Sequence, residues 1–215
     1  MQSQMTVAGK TISDPFSELS EYARRYDGTV SKYDLRGSGD PDVLTPEEVA
    51  RTRIIASRIS NTESAWFVER GGSAPWGGVP ADARLADADP ADNDGLYAAA
   101  TALYEHFRLA APRRVAVAKI HKVLHLKRPG LIPILDSHLL TSYATGAALA
   151  ARRHTKIGAR RLYWAAIRED LIDERNASAL VDVRAKLAAD GDIKVQGMSR
   201  LTDLRLLDAV AWRAG

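Results

Sequence analysis

Between His106 and Arg168 the chain holds one carboxylate, Asp136, among thirteen lysines and arginines. That window carries a formal charge of +12 while the whole chain carries +3, so everything outside it sums to −9. A segment of this kind cannot balance its own charge. Any fold must bring acidic segments from elsewhere against it or leave it open to a polyanion. The same window is apolar at helical spacing: Val117, Ile120 and Leu124 recur at i, i+3 and i+7, which predicts a helix with one buried stripe and with Lys119 and Lys122 on its surface. Lys127-Arg128-Pro129-Gly130 ends that helix with cations at its negative end. Leu131-Ile132-Pro133-Ile134-Leu135 then reads as a buried connector, and SHLLTSYATGAALAA as the next helix, with Asp136 placed to accept backbone N–H bonds as its N-cap.

Helical periodicity dominates the rest of the chain. DPFSELSEYARRY opens at Ser13 with Pro15 just inside. Thr45 and Glu48 form a capping box ahead of a helix running through EEVARTRIIASRIS. GLYAAATALYEHFRLA is alanine-rich, and residues 156–173, 176–189 and 199–213 share the helical period. Strand-like alternation is confined to Asp192-Ile193-Lys194-Val195. The expectation is an all-α fold, a single globular helical domain over residues 1–215 with about seven to eight helices. Residues 71–94, rich in Gly, Pro and Asp, break the pattern and read as a long acidic surface loop. It could be an interaction loop, an arm laid over the basic segment, or a tolerated insertion, and Trp76 within it is the tryptophan expected to be most exposed.

Several chemistries are excluded or disfavoured. The absence of cysteine removes disulfides, thiolate metal sites and cysteine nucleophiles. No apolar run approaches the ~20 residues of a membrane span, and the first residues lack the apolar core of a secretory signal, so a cytoplasmic protein with no membrane partner is expected. No cofactor is expected, because around Gly37-Ser38-Gly39 neither GxGxxG nor GxxxxGK[ST] is completed. His121 and His125 have the HxxxH spacing that can hold zinc, but Lys122 stands where HExxH needs its glutamate, so no metal site is expected.

The cations Arg113, Arg114, Lys127, Arg128, Arg152, Arg153, Lys156, Arg160 and Arg161 are candidate contacts to the phosphates of a nucleic acid. Asp136 is fully accounted for as a helix cap, yet the same physics allows a reaction. A fixed carboxylate in a cationic groove can face the sugar of a flipped nucleotide and stabilise an oxocarbenium-like centre as the base leaves. A nearby lysine could orient the nucleotide or attack its C1′ carbon.

The segment KIHKVLHLKRPGLIPILDSHL, Lys119 to Leu139, resembles the core of the helix–hairpin–helix DNA glycosylase superfamily: a lysine-bearing helix, an apolar turn with proline, then an aspartate followed by a short polar pair, here Asp136-Ser137-His138. The resemblance implies DNA as the partner and cleavage of a base–sugar bond, with Asp136 as the essential carboxylate. It further implies Lys119 as the lysine of bifunctional members, and Lys122 as a less well-matched candidate. The chain departs from that pattern before the helix, where Arg113-Arg114-Val115-Ala116-Val117-Ala118 replaces the glycine-bearing hairpin that binds phosphate. The wording KVLHLKRPGLIPILDS, with TRIIASRIS and LLDAVAW, is also similar to an uncharacterised family of actinobacterial proteins. Two other functions remain open: a non-catalytic nucleic-acid-binding module on the same scaffold, and an interaction or structural protein whose basic half is covered by its own acidic loop or by a partner.

Overall fold

The computed structural model describes residues 4–158 and 161–214; Arg160 lies outside the described residues. The fold is predominantly helical, with twelve α-helices and one two-stranded sheet among the described residues. In order these are β1 (Met5–Val7), β2 (Lys10–Ile12), α1 (Pro15–Arg25), α2 (Asp27–Thr29), α3 (Pro46–Arg51), α4 (Asn61–Gly71), α5 (Leu96–Leu109) and α6 (Val117–Lys127). Then follow α7 (Ser137–Ser142), α8 (Ala144–Arg153), α9 (Arg161–Ile172), α10 (Glu174–Ala189), α11 (Ile193–Met198) and α12 (Asp203–Ala214). The count exceeds the seven or eight expected because several predicted helices are divided and short turns join them.

The clearest division lies in EEVARTRIIASRIS. The capping box forms as expected, with Glu48 N–H donating to Thr45 Oγ1 and Thr45 N–H to Glu48. After Arg51, however, the β-branched run Thr52–Ile55 tightens into a 3-10 turn, and Ala56 and Arg58 take left-handed backbone, φ 57° and 52°. A second capping box, Ser60 with Glu63, starts α4. The chain therefore reverses direction where one continuous helix was expected. That reversal places Ile54, Ile55, Ala56 and Arg58 together on the rim of a cleft.

Two further expectations are corrected. Residues 192–195 form no strand; Asp192 caps α11 by accepting from Lys194 N–H. The strands lie instead at β1 and β2, paired antiparallel in the register Met5 to Ile12 and Val7 to Lys10 around Ala8-Gly9, whose positive φ values suit a tight hairpin turn. This hairpin docks onto the distant helices α9 and α10: Thr6 exchanges two hydrogen bonds with the Asn176 side chain, and Ala8 N–H donates to Asp170.

One contiguous apolar core runs from Met5 to Ala211 and includes Phe67, Leu103, Phe107 and Trp164. Burying a side chain as fully as Leu103 or Phe107 stabilises the fold by about 1.5–3 kcal/mol. Through this core passes α6, and here the single buried stripe is corrected too. Every residue from Ile120 to Lys127 is buried, His121, Lys122, His125 and Lys127 included. Around it α5 packs on α6, α8 on α9, α10 on α11, α1 on α11 and α12, and α7 on α12.

The 71–94 segment is irregular, as its composition predicts, but it is not peripheral. Trp76, Val79, Ala83, Leu85 and Ala88 are buried in the core. Trp76, expected to be exposed, is 5% exposed and donates its indole N–H to Gly71 O at 2.8 Å. Leu85 N–H donates to Gly130 O at 2.8 Å, so this arm lies over the turn that ends α6. A Cβ at Gly130 would sit 2.8 Å from Ala83 O, which explains why glycine occupies that position.

Candidate active site

A cleft of about 720 Å³ opens beside Asp136. Its walls come from six parts of the chain: Tyr22 of α1 with Tyr26 just after it, Thr29 of α2, the turn from Ile54 to Arg58, Ala118 and Lys122 of α6, Ile134 to Leu139 around the start of α7, and Arg205, Asp208 and Trp212 of α12. Asp136 caps α7 as its position predicts. Its Oδ1 accepts from His138 N–H at 3.0 Å and Leu139 N–H at 3.1 Å. Its Oδ2 has no hydrogen-bond donor among the described residues, and the side chain is half-buried at the cleft wall. The cap thus uses one oxygen and leaves the other without a protein donor among the described residues.

The two candidate lysines separate. Lys122 lines the cleft, buried, with its ammonium donating to Ile55 O at 2.7 Å. Burial draws its pKa below the ordinary lysine value, while the charge of Asp136 acts in the opposite direction. Lys119, at the spacing the resemblance favours, pairs with Glu63 at 2.6 Å and is not among the cleft's lining residues.

The inner wall carries groups that the sequence reading missed. Arg205 is buried and holds Asp34 through Nε at 2.8 Å and a second nitrogen at 3.2 Å, and it also donates to Tyr22 OH at 2.8 Å. Asp208, one turn along α12, is 1% exposed; its Oδ2 accepts from Ile134 N–H at 3.0 Å, and its Oδ1, itself enclosed, has no partner among the described residues. Burial is the main cause that pushes the Asp208 carboxyl up to about 7. Tyr22, Tyr26 and Trp212 form an aromatic wall, with Tyr26 and Trp212 meeting edge to face at 5.2 Å and His138 5.0 Å from Trp212. A signal for α12 was present: Arg205 and Asp208 interrupt LRLLDAVAW on the side that its leucines and alanines mark as buried.

The remaining candidate cations do not gather at this cleft. Lys127 pairs with Glu48 at 2.6 Å and donates to Asp40 O; burial raises the Glu48 pKa, but the bond from Lys127 and those from the Thr45 and Gly39 N–H groups outweigh it and hold the carboxyl below the ordinary range. Arg128 donates to Val79 O at 2.6 Å and Pro41 O at 2.8 Å, and meets Asp42 at 2.7 Å. Arg153 pairs with Glu169 and Arg161 with Glu105. Arg113, Arg114, Arg152 and Lys156 are exposed and form no ion pair among the described residues. Arg153, Lys156 and Arg161 line a separate, smaller cleft of about 390 Å³ together with Pro90, Ala91 and Asp92 of the acidic segment.

Both histidines of the HxxxH pair serve the core. His121 Nδ1 contacts Val117 O and its Nε2 accepts from the Trp164 indole N–H, while His125 Nδ1 contacts Ile132 O and burial lowers its pKa to about 4. No helix among the described residues is long and apolar enough to cross a membrane.

No curated protein and no solved structure matches the chain. Every residue that lines the cleft, from Tyr22 to Trp212, falls within residues 18–215, which match the model of a family of unknown function, DUF6308, and to that family this chain belongs.

Proposed function

We propose that this protein binds DNA and cleaves a base–sugar bond, with a flipped nucleotide entering the cleft and Asp136 acting on its sugar. The observation that carries the reading is that Asp136 stands at a cleft with one carboxylate oxygen uncommitted, instead of being sealed inside as a cap alone. The bond broken joins the base nitrogen to C1′, and the bond formed joins C1′ to a water oxygen, whose proton leaves toward the departing base. Asp136 stabilises the positive charge that develops on the sugar between those events. Tyr22, Tyr26 and Trp212 supply faces and edges on which a planar base can stack. Lys122 is the cleft's amine, and burial enlarges its neutral, nucleophilic fraction, so it is the group that could attack C1′ in place of water.

The test is a panel of duplexes carrying damaged or mismatched bases, incubated with wild type and with Asp136→Asn. The expected outcome is excision by wild type and none by the variant, whose folding changes by no more than about 1 kcal/mol because asparagine also caps helices. Equal product from both proteins removes Asp136 from the reaction.

The internal ion pairs of Lys119, Lys127, Arg128, Arg153 and Arg161 favour a second reading, an interaction or structural protein whose basic half is neutralised by its own acidic segments. On that reading DNA binding is negligible at physiological salt. A non-catalytic DNA-binding module is told apart from both by strongly salt-dependent binding without product, indifferent to Asp136→Asn.

A further inference from the structure

Lysine and arginine side chains are seldom buried without an opposite charge, because the cation gives up its water and needs a partner in exchange. Most buried cations of this chain have one. Lys127 meets Glu48, Arg128 meets Asp42, Arg205 meets Asp34, and Lys122 feels the charge of Asp136. Arg51, the last residue of α3, is 9% exposed and forms no ion pair among the described residues. Its Nη1 donates to Gly37 O, while Nε and Nη2 have no acceptor among those residues. Nε is enclosed and Nη2 is not, so the end of the guanidinium left without a partner is also the end a ligand can meet.

Arg51 stands against a cavity of about 210 Å³, which Gly37, Ser38, Pro41, Asp34 and Lys127 also line. Gly37, Ser38 and Pro41 are exposed, so the cavity opens to solvent on that side. The carboxylate of Asp34 and the ammonium of Lys127 are committed to Arg205 and Glu48. Those pairs cancel, and Arg51 is left uncompensated with the exposed Arg36 close by. Burial draws the Arg51 pKa below the ordinary arginine value; Glu48, Tyr33 and Asp34 oppose that effect and Arg36 adds to it. A guanidinium nevertheless keeps its charge at every physiological pH, so the cavity carries a fixed positive group.

The loop beside it supplies neutral donors. Gly37 has a φ of 72°, a conformation that suits glycine, and turns its carbonyl to Arg51. Gly39 N–H donates to Glu48, but the N–H groups of Gly37 and Ser38 have no acceptor among the described residues. Gly37-Ser38-Gly39 completes no nucleotide-binding motif, and the cavity is smaller than the roughly 300–1,000 Å³ of sites that enclose drug-sized ligands. It therefore suits one small anionic group. A tetrahedral oxyanion has enough acceptor oxygens to meet a guanidinium and backbone N–H groups together. We propose that this cavity binds a single phosphate group, with Arg51 Nη2 as its ionic contact and the Gly37 and Ser38 N–H groups as neutral donors. Inorganic phosphate and the terminal phosphate of a nucleotide offer the same chemistry. The site shares no lining residue with the Asp136 cleft and does not rest on the excision reading.

The experiment follows the Gly37 and Ser38 amide resonances of the full wild-type chain by two-dimensional NMR as inorganic phosphate replaces chloride at constant ionic strength. Both amides should shift saturably at concentrations up to about 10 mM. In Arg51→Gln the affinity should fall by about tenfold or more, as expected for loss of one charge-assisted contact. Lys186→Gln, at an exposed position on α10, should bind as wild type does. Thermal unfolding shows whether Arg51→Gln is folded, and the wild-type titration decides the question without it. No saturable shift at the two amides, shifts confined to the exposed cations of residues 152–156, or undiminished affinity in folded Arg51→Gln each overturns the proposal. A parallel titration with thymidine 5′-phosphate and thymidine separates the sources. Shifts of the same amides by the nucleotide and not the nucleoside support a terminal phosphate as ligand, and shifts by inorganic phosphate alone support the free ion. Equal shifts by nucleotide and nucleoside overturn phosphate as the group recognised.

Discussion

The cations of α6 and those of the flanking surface are alike in sequence and opposite in structure. Lys127 and Arg128 are 2% and 1% exposed and are fixed by Glu48, Asp42 and backbone carbonyls. Arg113, Arg114, Arg152 and Lys156 stand in solvent. The first group ties the 37–48 stretch and the acidic 71–94 arm to the core, whereas the second is free to meet a phosphate. A charge run in a sequence therefore measures how much opposite charge must be supplied, not where the resulting field will be. Here the chain itself supplies part of it, and among the described residues of the run Arg113, Arg114, Arg152 and Lys156 form no ion pair.

The sharpest way to break this comparison is Arg128→Ala, which removes the partner of Asp42 and leaves four backbone carbonyls, those of Val79, Pro41, Lys127 and Trp76, without the guanidinium they now accept from. Asp42 is 51% exposed and stays solvated, so the loss comes from the carbonyls left unpaired, about 1–3 kcal/mol, which urea unfolding should show. A loss below about 1 kcal/mol would place Arg128 with the surface cations. The outer group is tested by Arg113→Ala combined with Arg114→Ala. Stability should change by no more than about 0.5 kcal/mol, while the salt slope of DNA binding should fall by about two. An unchanged slope would mean that neither arginine meets phosphate. The smallest effect is expected for Arg153→Ala, whose pair with Glu169 is 57% and 36% exposed at its two side chains. Thermal unfolding should shift by less than about 1 kcal/mol equivalent, and a larger shift would move this residue into the structural group.

What could be read from the sequence was local. The Thr45–Glu48 capping box and the Asp136 cap each depend on residues within three positions, and both appear as expected. The Ser60–Glu63 box was equally local, but Ser60 stood at the end of the apolar pattern read as one helix through EEVARTRIIASRIS, so the turn at Ala56 and Arg58 went unseen. Long-range pairings escaped for a different reason. Arg205 meets Asp34 at a separation of 171 residues, and Asp208 meets Ile134 N–H at 74, distances over which neither periodicity nor spacing carries information. Burial of the polar side of α6 was hidden likewise, because Glu48, Glu63 and Ile55 O, which satisfy its lysines, come from earlier elements.

The cleft draws Tyr22 from the first helix, Tyr26 from the residue that follows it, and Arg205, Asp208 and Trp212 from the last, with the Arg205–Asp34 and Arg213–Glu18 pairs closing the same seam. During synthesis the early part of the chain must wait, its aromatic residues unsheltered, until the final helix emerges and docks. Completion of the cleft and completion of folding are thus the same event, and two separately expressed halves should each leave it unformed until they are mixed.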